Sequence, residues 1–455
     1  MTARSRIHDS LLSDTDVAAR FSSHNQLQTM LDVESALADA EASVGVVPSS
    51  CVDPIRSAAQ AELYDCGQLA IEAAEAGNPV IPVVRHLTKT VATDSPEAAR
   101  YVHWGATSQD ILDTGLVLQV RSAMPIVLDY LKRSEQAAAD LARRFADTPM
   151  PGRTWLQQAT PITFGLKAAG WADALSRTRQ RVQTAFDDAL VLQFGGASGT
   201  LASLGSQGLA VTDALAARLE LRTAATPWHT HRDRFAQLAC TLGVATGIIG
   251  KVARDLALLS QTEVGEVYEQ PLPGRGGSST MPQKRNPVGA SVALAAAGRT
   301  PGLVATLLSA MVQEHERALG SWQVEWDTLP DLVLVSAGGA GAMAEALENL
   351  SVDTDRMRAN LDVSGGALLS ESVAMALAES IGKHEAHACI EAACRRAISE
   401  SRTLAQVLAD DPMVTRHLNR AEIARRLSAD QYLGVSRLFI QRVLDNLKDP
   451  SRTDD

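Results

Sequence analysis

The segment Gly276-Gly277-Ser278-Ser279-Thr280-Met281-Pro282-Gln283-Lys284-Arg285-Asn286-Pro287 sets adjacent hydroxyls beside two cations and a carboxamide in a glycine-rich stretch. Asn286 suits the N-cap of a helix and Pro287 its first turn, where a missing N–H costs nothing. The positive end of that helix, with Lys284 and Arg285 beside it, favours a carboxylate or an enolate. An isolated serine is a poor base, so an alkoxide here needs stabilisation from Lys284 or from loop N–H groups. A generic Gly-Ser loop would read as a surface turn ahead of a helix cap. Paired Ser, Met-Pro, Lys and Asn-Pro together are too specific for that, and they point to proton transfer beside a bound anion.

Such a segment needs a frame to present it. From Met30 the apolar positions Met30, Val33, Leu37, Ala40 and Val44 recur at helical spacing, and the stretch from Gly45 to Pro48 ends the run. The stretches Ile126 to Phe145, Thr163 to Leu192 and Phe235 to Leu259 carry the same pattern over several turns. Alternating strand patterns are scarce, apart from a short extended piece around Val191 to Phe194. The expectation is an all-α chain, a long-helix bundle with smaller N- and C-terminal helical domains. The segments expected are 1–110, 111–354 and 355–455, with a break near Asp353 to Gly366. Three loops of unusual composition interrupt the helices: His103 to Asp110, Pro151 to Gln157 and Pro271 to Pro287.

Composition limits the partners. The chain has 455 residues, 45% of them hydrophobic and 4% aromatic, which fits a large core of small and aliphatic side chains. A net charge of −11 argues against nucleic acid and anionic membrane as partners, yet leaves room for a small anion held by a local cluster of Arg and Lys. Five scattered cysteines without a Cys-x-x-Cys pair suit a reducing cytoplasm, with no zinc site or other metal expected. No window is read as apolar enough to span a bilayer.

The glycine-serine segment resembles the long signature loop of the fumarase/aspartase superfamily, and the resemblance extends over nearly the whole chain. His103-Trp104-Gly105-Ala106-Thr107-Ser108-Gln109-Asp110 is similar to the first family region, and Gly152-Arg153-Thr154-Trp155-Leu156-Gln157 to the second. Glu314-His315-Glu316-Arg317 resembles the stretch that follows the signature, and Arg356-Met357 with Asn360-Leu361 the start of the C-terminal domain. The resemblance implies Ser279 as catalytic base in the elimination direction, no cofactor, and a homotetramer whose active sites gather residues from three subunits.

Departures from the family pattern narrow the activity. Many relatives carry His at the place of Trp155 and Glu shortly after the Asn-Pro, where this chain has Ser291. Losing both together is chemically coherent, since either alone lacks its orienting partner. With Gly77-Asn78-Pro79-Val80-Ile81-Pro82 and Phe194-Gly195-Gly196-Ala197-Ser198-Gly199, these changes resemble the cycloisomerase branch. That implies closure of 3-carboxy-cis,cis-muconate, an anionic polycarboxylate, to 4-carboxymuconolactone in protocatechuate breakdown, by carboxylate addition across a double bond. Lys284, Arg153 and Arg317 are the candidate cations, and Thr107, Ser108, Gln109, Thr154, Gln157 and Asn286 the hydrogen-bonding groups. Ser279 is the candidate for proton transfer with His103 in reserve, and Trp155 is a pocket wall.

Plainer readings compete. His103 could equally be structural, and Arg317 alone would read as part of a solvated charged face. His229 and His231 lack a convergent third ligand and read as packing at a helix start; His384 and His387 read as surface residues. An adenylosuccinate-type lyase and a catalytically silent scaffold remain the alternatives.

Overall fold

A computed structural model describes residues 8–270, 281 and 284–448, so Ser279 lies outside the described residues. The architecture is the expected all-α, long-helix bundle. The elements that matter here are α1 (Ser23–Ser43), α2 (Ser108–Arg144), β1 (Pro149–Thr154), β2 (Gln157–Thr163), α3 (Phe164–Ala189), α4 (Asp233–Leu259), β3 (Val267–Glu269), α5 (Val288–Ala310), α6 (Ser321–Glu348), β4 (Leu350–Val352) and α7 (Thr354–Asp362). Contacts group the chain into two compact units. One comprises Met1–Leu131, Thr178–Gly250 and Val292–Ala342; the other comprises Lys132–Arg177, Lys251–Ser291 and Met343–Asp455.

In the first unit α1 begins on Ser22, whose hydroxyl accepts from the Asn25 N–H. Leu27, Leu31, Leu37 and Ala38 are buried along it. The second unit ends in helices with a core of their own, built on Val373, Leu377, Ile390, Leu404, Val407 and Val414. His384 and His387 are exposed there, on the helix Lys383–Ser399.

Two expectations are corrected. The loop expected from Pro151 to Gln157 is the end of β1, the turn and the first residue of β2 in an antiparallel hairpin, with Pro151 opposite Pro161 and a register shift between Pro151 and Arg153. Proline cannot donate to a ladder, which is why the segment does not read as strand. A Cβ on Gly152 would stand 2.5 Å from the Thr160 carbonyl oxygen, so this bulge accepts only glycine. The membrane reading also changes. By length and composition α2, α4 and α5 are each apolar enough to cross a bilayer. Ala, Gly, Leu and Val cover more than one side of these helices, which thins the charges that a surface helix would carry. In α2 and α4 most of that apolar window is buried within the chain, but in α5 only 28% is.

Candidate active site

Residues expected at the site fall into two groups, one in each unit. In the first unit the segment 103–110 runs into the start of α2. Asp110 organises it: its carboxylate accepts the N–H groups of Thr107 (3.1 Å), Gly195 (3.0 Å) and Gly196 (2.9 Å). His229 Nε2 lies 2.7 Å from the same carboxylate and is buried. The bond to Thr107 is half of a capping box, and the bonds to Gly195 and Gly196 recruit the Phe194–Gly199 stretch. A Cβ on Gly195 would stand 2.7–2.8 Å from Pro227 and His229, so glycine permits this approach. His229 is thus a structural residue at this junction, and His231 is exposed. Among the described residues no group of His, Cys, Asp or Glu is arranged to hold a metal ion.

Arg317 joins this cluster. Its guanidinium donates to Gln109 Oε1 (3.2 Å), Thr107 Oγ1 (2.9 Å) and the Ala197 carbonyl (3.1 Å). Among the described residues three of its five N–H groups are used in this way, which leaves two for a ligand. Gln109 is fully buried, its amide donating to Asp113 and to the His229 carbonyl, so it acts through Arg317. Ser108 is half-buried at the first turn of α2. Below them Arg232 is clamped between Asp113 and Glu325, and the Trp322 indole donates to Asp113.

His103 has a left-handed backbone, φ +59°, unusual for a residue with a side chain. Its Nδ1 is 2.6 Å from Oε1 of Glu34, on α1, whose side chain is buried. Burial alone would lower the imidazole pKa; the charge and hydrogen bond of Glu34, with the charge of Asp110, raise it above the usual value. Glu41, two turns along α1, is buried, with neither carboxyl oxygen partnered among the described residues. Burial and the Glu34 charge push it up to about 9.

The second group sits on and around the hairpin. Arg153 donates to both oxygens of Glu266, at 2.9 and 2.6 Å. Asn360 of α7 donates to the same carboxylate (2.7 Å), and Arg356 donates to the Val264 and Glu263 carbonyls. The Arg356 to Leu361 motif therefore anchors the strand-forming segment 263–269. Trp155 and Leu156 form the two-residue hairpin turn, with φ +51° and +64°, between exposed Thr154 and Gln157. Turns with both central φ positive normally use Asn-Gly, and each non-glycine residue there costs about 1–2 kcal/mol. Trp155 is 97% exposed, so in the isolated chain it belongs to no core.

The helix start after the signature segment is also corrected. Its N-terminal N–H groups at Gly289 and Ala290 are both held by the Glu269 carboxylate, at 2.8 Å each. Pairing of β3 with β4 brings in this acceptor, and a carboxylate outcompetes the expected Asn286 cap. Among the described residues the half-buried Asn286 has no side-chain hydrogen bond, and the exposed Lys284 side chain makes no ion pair. Arg285 lies over the Tyr268 ring, 5.0 Å from its centroid.

The class of protein follows from comparison with known families. Residues 13–302 match the family model described as Lyase, and residues 366–443 the one described as Adenylosuccinate lyase C-terminus. The chain belongs to the fumarase/aspartase superfamily of lyases. Within it the chain is 51% identical to 3-carboxy-cis,cis-muconate cycloisomerase of Pseudomonas aeruginosa, over 96% of both chains. It is 48% identical to the enzyme of that name from Bradyrhizobium diazoefficiens, over 98% of this chain and 99% of the other. The crystal structure of 3-carboxy-cis,cis-muconate lactonizing enzyme from Pseudomonas putida is similar with a TM-score of 0.93 and 49% identity, over 98% of this chain and 99% of that one.

Proposed function

We propose that this chain closes 3-carboxy-cis,cis-muconate to 4-carboxymuconolactone, a step of protocatechuate breakdown in the β-ketoadipate pathway. The observation that carries the reading is near-full-length likeness to cycloisomerases. The Trp155 tip, in place of the histidine of many relatives, supports it. One substrate carboxylate oxygen bonds to the β-carbon of an unsaturated acid. The π pair moves onto the α-carbon and its carboxylate, and a proton then enters at the α-carbon. Three carboxylates become two and a neutral lactone, so turnover takes up a proton and removes the conjugated diene.

Lys284 and Arg317, which have N–H groups available, take substrate carboxylates. Arg153, tied to Glu266, and Gln109, tied to Arg317, hold those elements in place. Thr107, Ser108, Thr154, Gln157 and Asn286 supply hydrogen bonds, and Trp155 walls the pocket. Ser279 delivers the proton, on the strength of the superfamily resemblance, with Lys284 stabilising its alkoxide; His103 is the second acid. No cofactor enters the reaction. We further propose a cytoplasmic homotetramer with sites shared between subunits, a reading supported by the apolar, largely uncovered α5.

The test is loss of diene absorbance with 3-carboxy-cis,cis-muconate, with adenylosuccinate in parallel and Ser279→Ala as control. Loss that Ser279→Ala abolishes supports both the activity and the role of Ser279. Loss that persists in the variant moves the proton to His103. Turnover of adenylosuccinate alone overturns the cycloisomerase reading.

A further inference from the structure

We propose that Glu34 is a positioning residue for His103: its buried carboxylate fixes the imidazole through Nδ1 and leaves a protonated Nε2 to face the substrate. The proposal rests on the cycloisomerase reading for the identity of that substrate. Glu34 Oε1 is 2.6 Å from Nδ1, the Glu34 side chain is 1% exposed, and its other oxygen has no partner among the described residues. A desolvated carboxylate is costly unless a cation or donor answers it, and the imidazole is the group placed to do so.

The other charged groups reinforce this assignment. Asp110, at the start of α2, also bears on the ring, but both its oxygens are held by Thr107, Gly195, Gly196 and His229. The guanidinium of Arg317 is engaged on Thr107 and Gln109. On α1 itself Glu41 lies two turns along, where burial and the neighbouring Glu34 push it up to about 9. His103 Nε2, by contrast, makes no hydrogen bond among the described residues, and the side chain is 20% exposed, so a ligand can reach it. An imidazole held charged from behind presents an N–H to the carboxylate on which charge accumulates.

Two readouts on the full-length protein test this. Imidazole C2 hydrogen–deuterium exchange, followed by mass spectrometry of the His103 peptide, gives the titration of that ring without substrate. The expected result is a wild-type value above the ordinary ~6.5 that falls by about one unit or more in Glu34→Gln. The basic limb of the kcat/KM profile with 3-carboxy-cis,cis-muconate should move down with it, with a loss on the order of 10-fold at pH 8 and partial rescue in Glu34→Asp. A titration or a basic limb that Glu34→Gln does not move overturns the proposal, since a merely structural role lowers activity at every pH alike. Should that variant not fold, a wild-type His103 titrating at or below the ordinary value overturns it, and one titrating above supports it. Absent turnover by wild type, with a Glu34-dependent titration, overturns the substrate reading and leaves the pairing standing.

Discussion

Glu266 grips Arg153 with both carboxylate oxygens, at 2.6 and 2.9 Å, from a side chain with no solvent exposure. The arginine expected to receive a substrate carboxylate is already matched to one of the chain's own. Removing either partner leaves a charge without its answer, and Glu266→Gln should cost roughly 2–4 kcal/mol. A double-mutant cycle with Arg153→Ala, read by chemical denaturation, should return a coupling of at least about 1 kcal/mol. Additive losses would show that the pair does not anchor the hairpin.

Lys284 should behave in the opposite way. Its side chain is exposed and joins no ion pair among the described residues, so Lys284→Ala should change stability by less than about 0.5 kcal/mol. Its loss should lower kcat/KM by about 10²–10³-fold if it stabilises the developing charge. Steady-state kinetics beside a thermal melt separates the two effects.

The helix start at α5 offers a sharper contrast. Glu269→Ala leaves the Gly289 and Ala290 N–H groups without their acceptor and should cost about 1–2 kcal/mol. Asn286→Ala, which removes no cap, should cost under about 0.5 kcal/mol and raise KM instead. Equal destabilisation by the two substitutions would return Asn286 to the capping role.

Glu41 predicts a pH dependence. Its folded-state value of about 9 stands above the ordinary 4.5, so between those values the folded chain holds a proton that the unfolded chain has released. Stability is therefore greatest at the acidic end of that window and falls as pH rises, by roughly 1.4 kcal/mol per unit. Glu41→Gln removes this slope. From pH 5 to pH 8 the wild type should lose about 4 kcal/mol relative to the variant in denaturant titrations. Parallel curves would place Glu41 among ordinary carboxylates.

Much of this was legible in the residues. Helical periodicity located α1, α3 and α4, and the motif around Ser279 and Lys284 led to the superfamily. The hairpin was not legible, because Pro151 and Pro161 argue against strand and Trp-Leu is an unusual tight turn. The buried acids were also missed, although Glu34 and Glu41 follow Met30 and Leu37 at i+4 and so extend the apolar face of α1. Charge on that face was the available sign. Glu266 and Glu269 gave no comparable signal, since their partners are set by the pairing of β3 with β4 and by α7, far along the chain.

The hairpin tip also equips the protein with its own optical probe. Trp155 is 97% exposed and Trp104 42%, whereas Trp171, Trp228 and Trp322 are each buried to within a few per cent. Iodide in solution should therefore quench the indole at position 155 first, and emission lost in Trp155→Phe identifies its share. Anything that covers the tip, whether a neighbouring subunit or a bound polycarboxylate, should blue-shift that share and shield it from the quencher. Assembly and ligand binding can then be followed on the unlabelled chain.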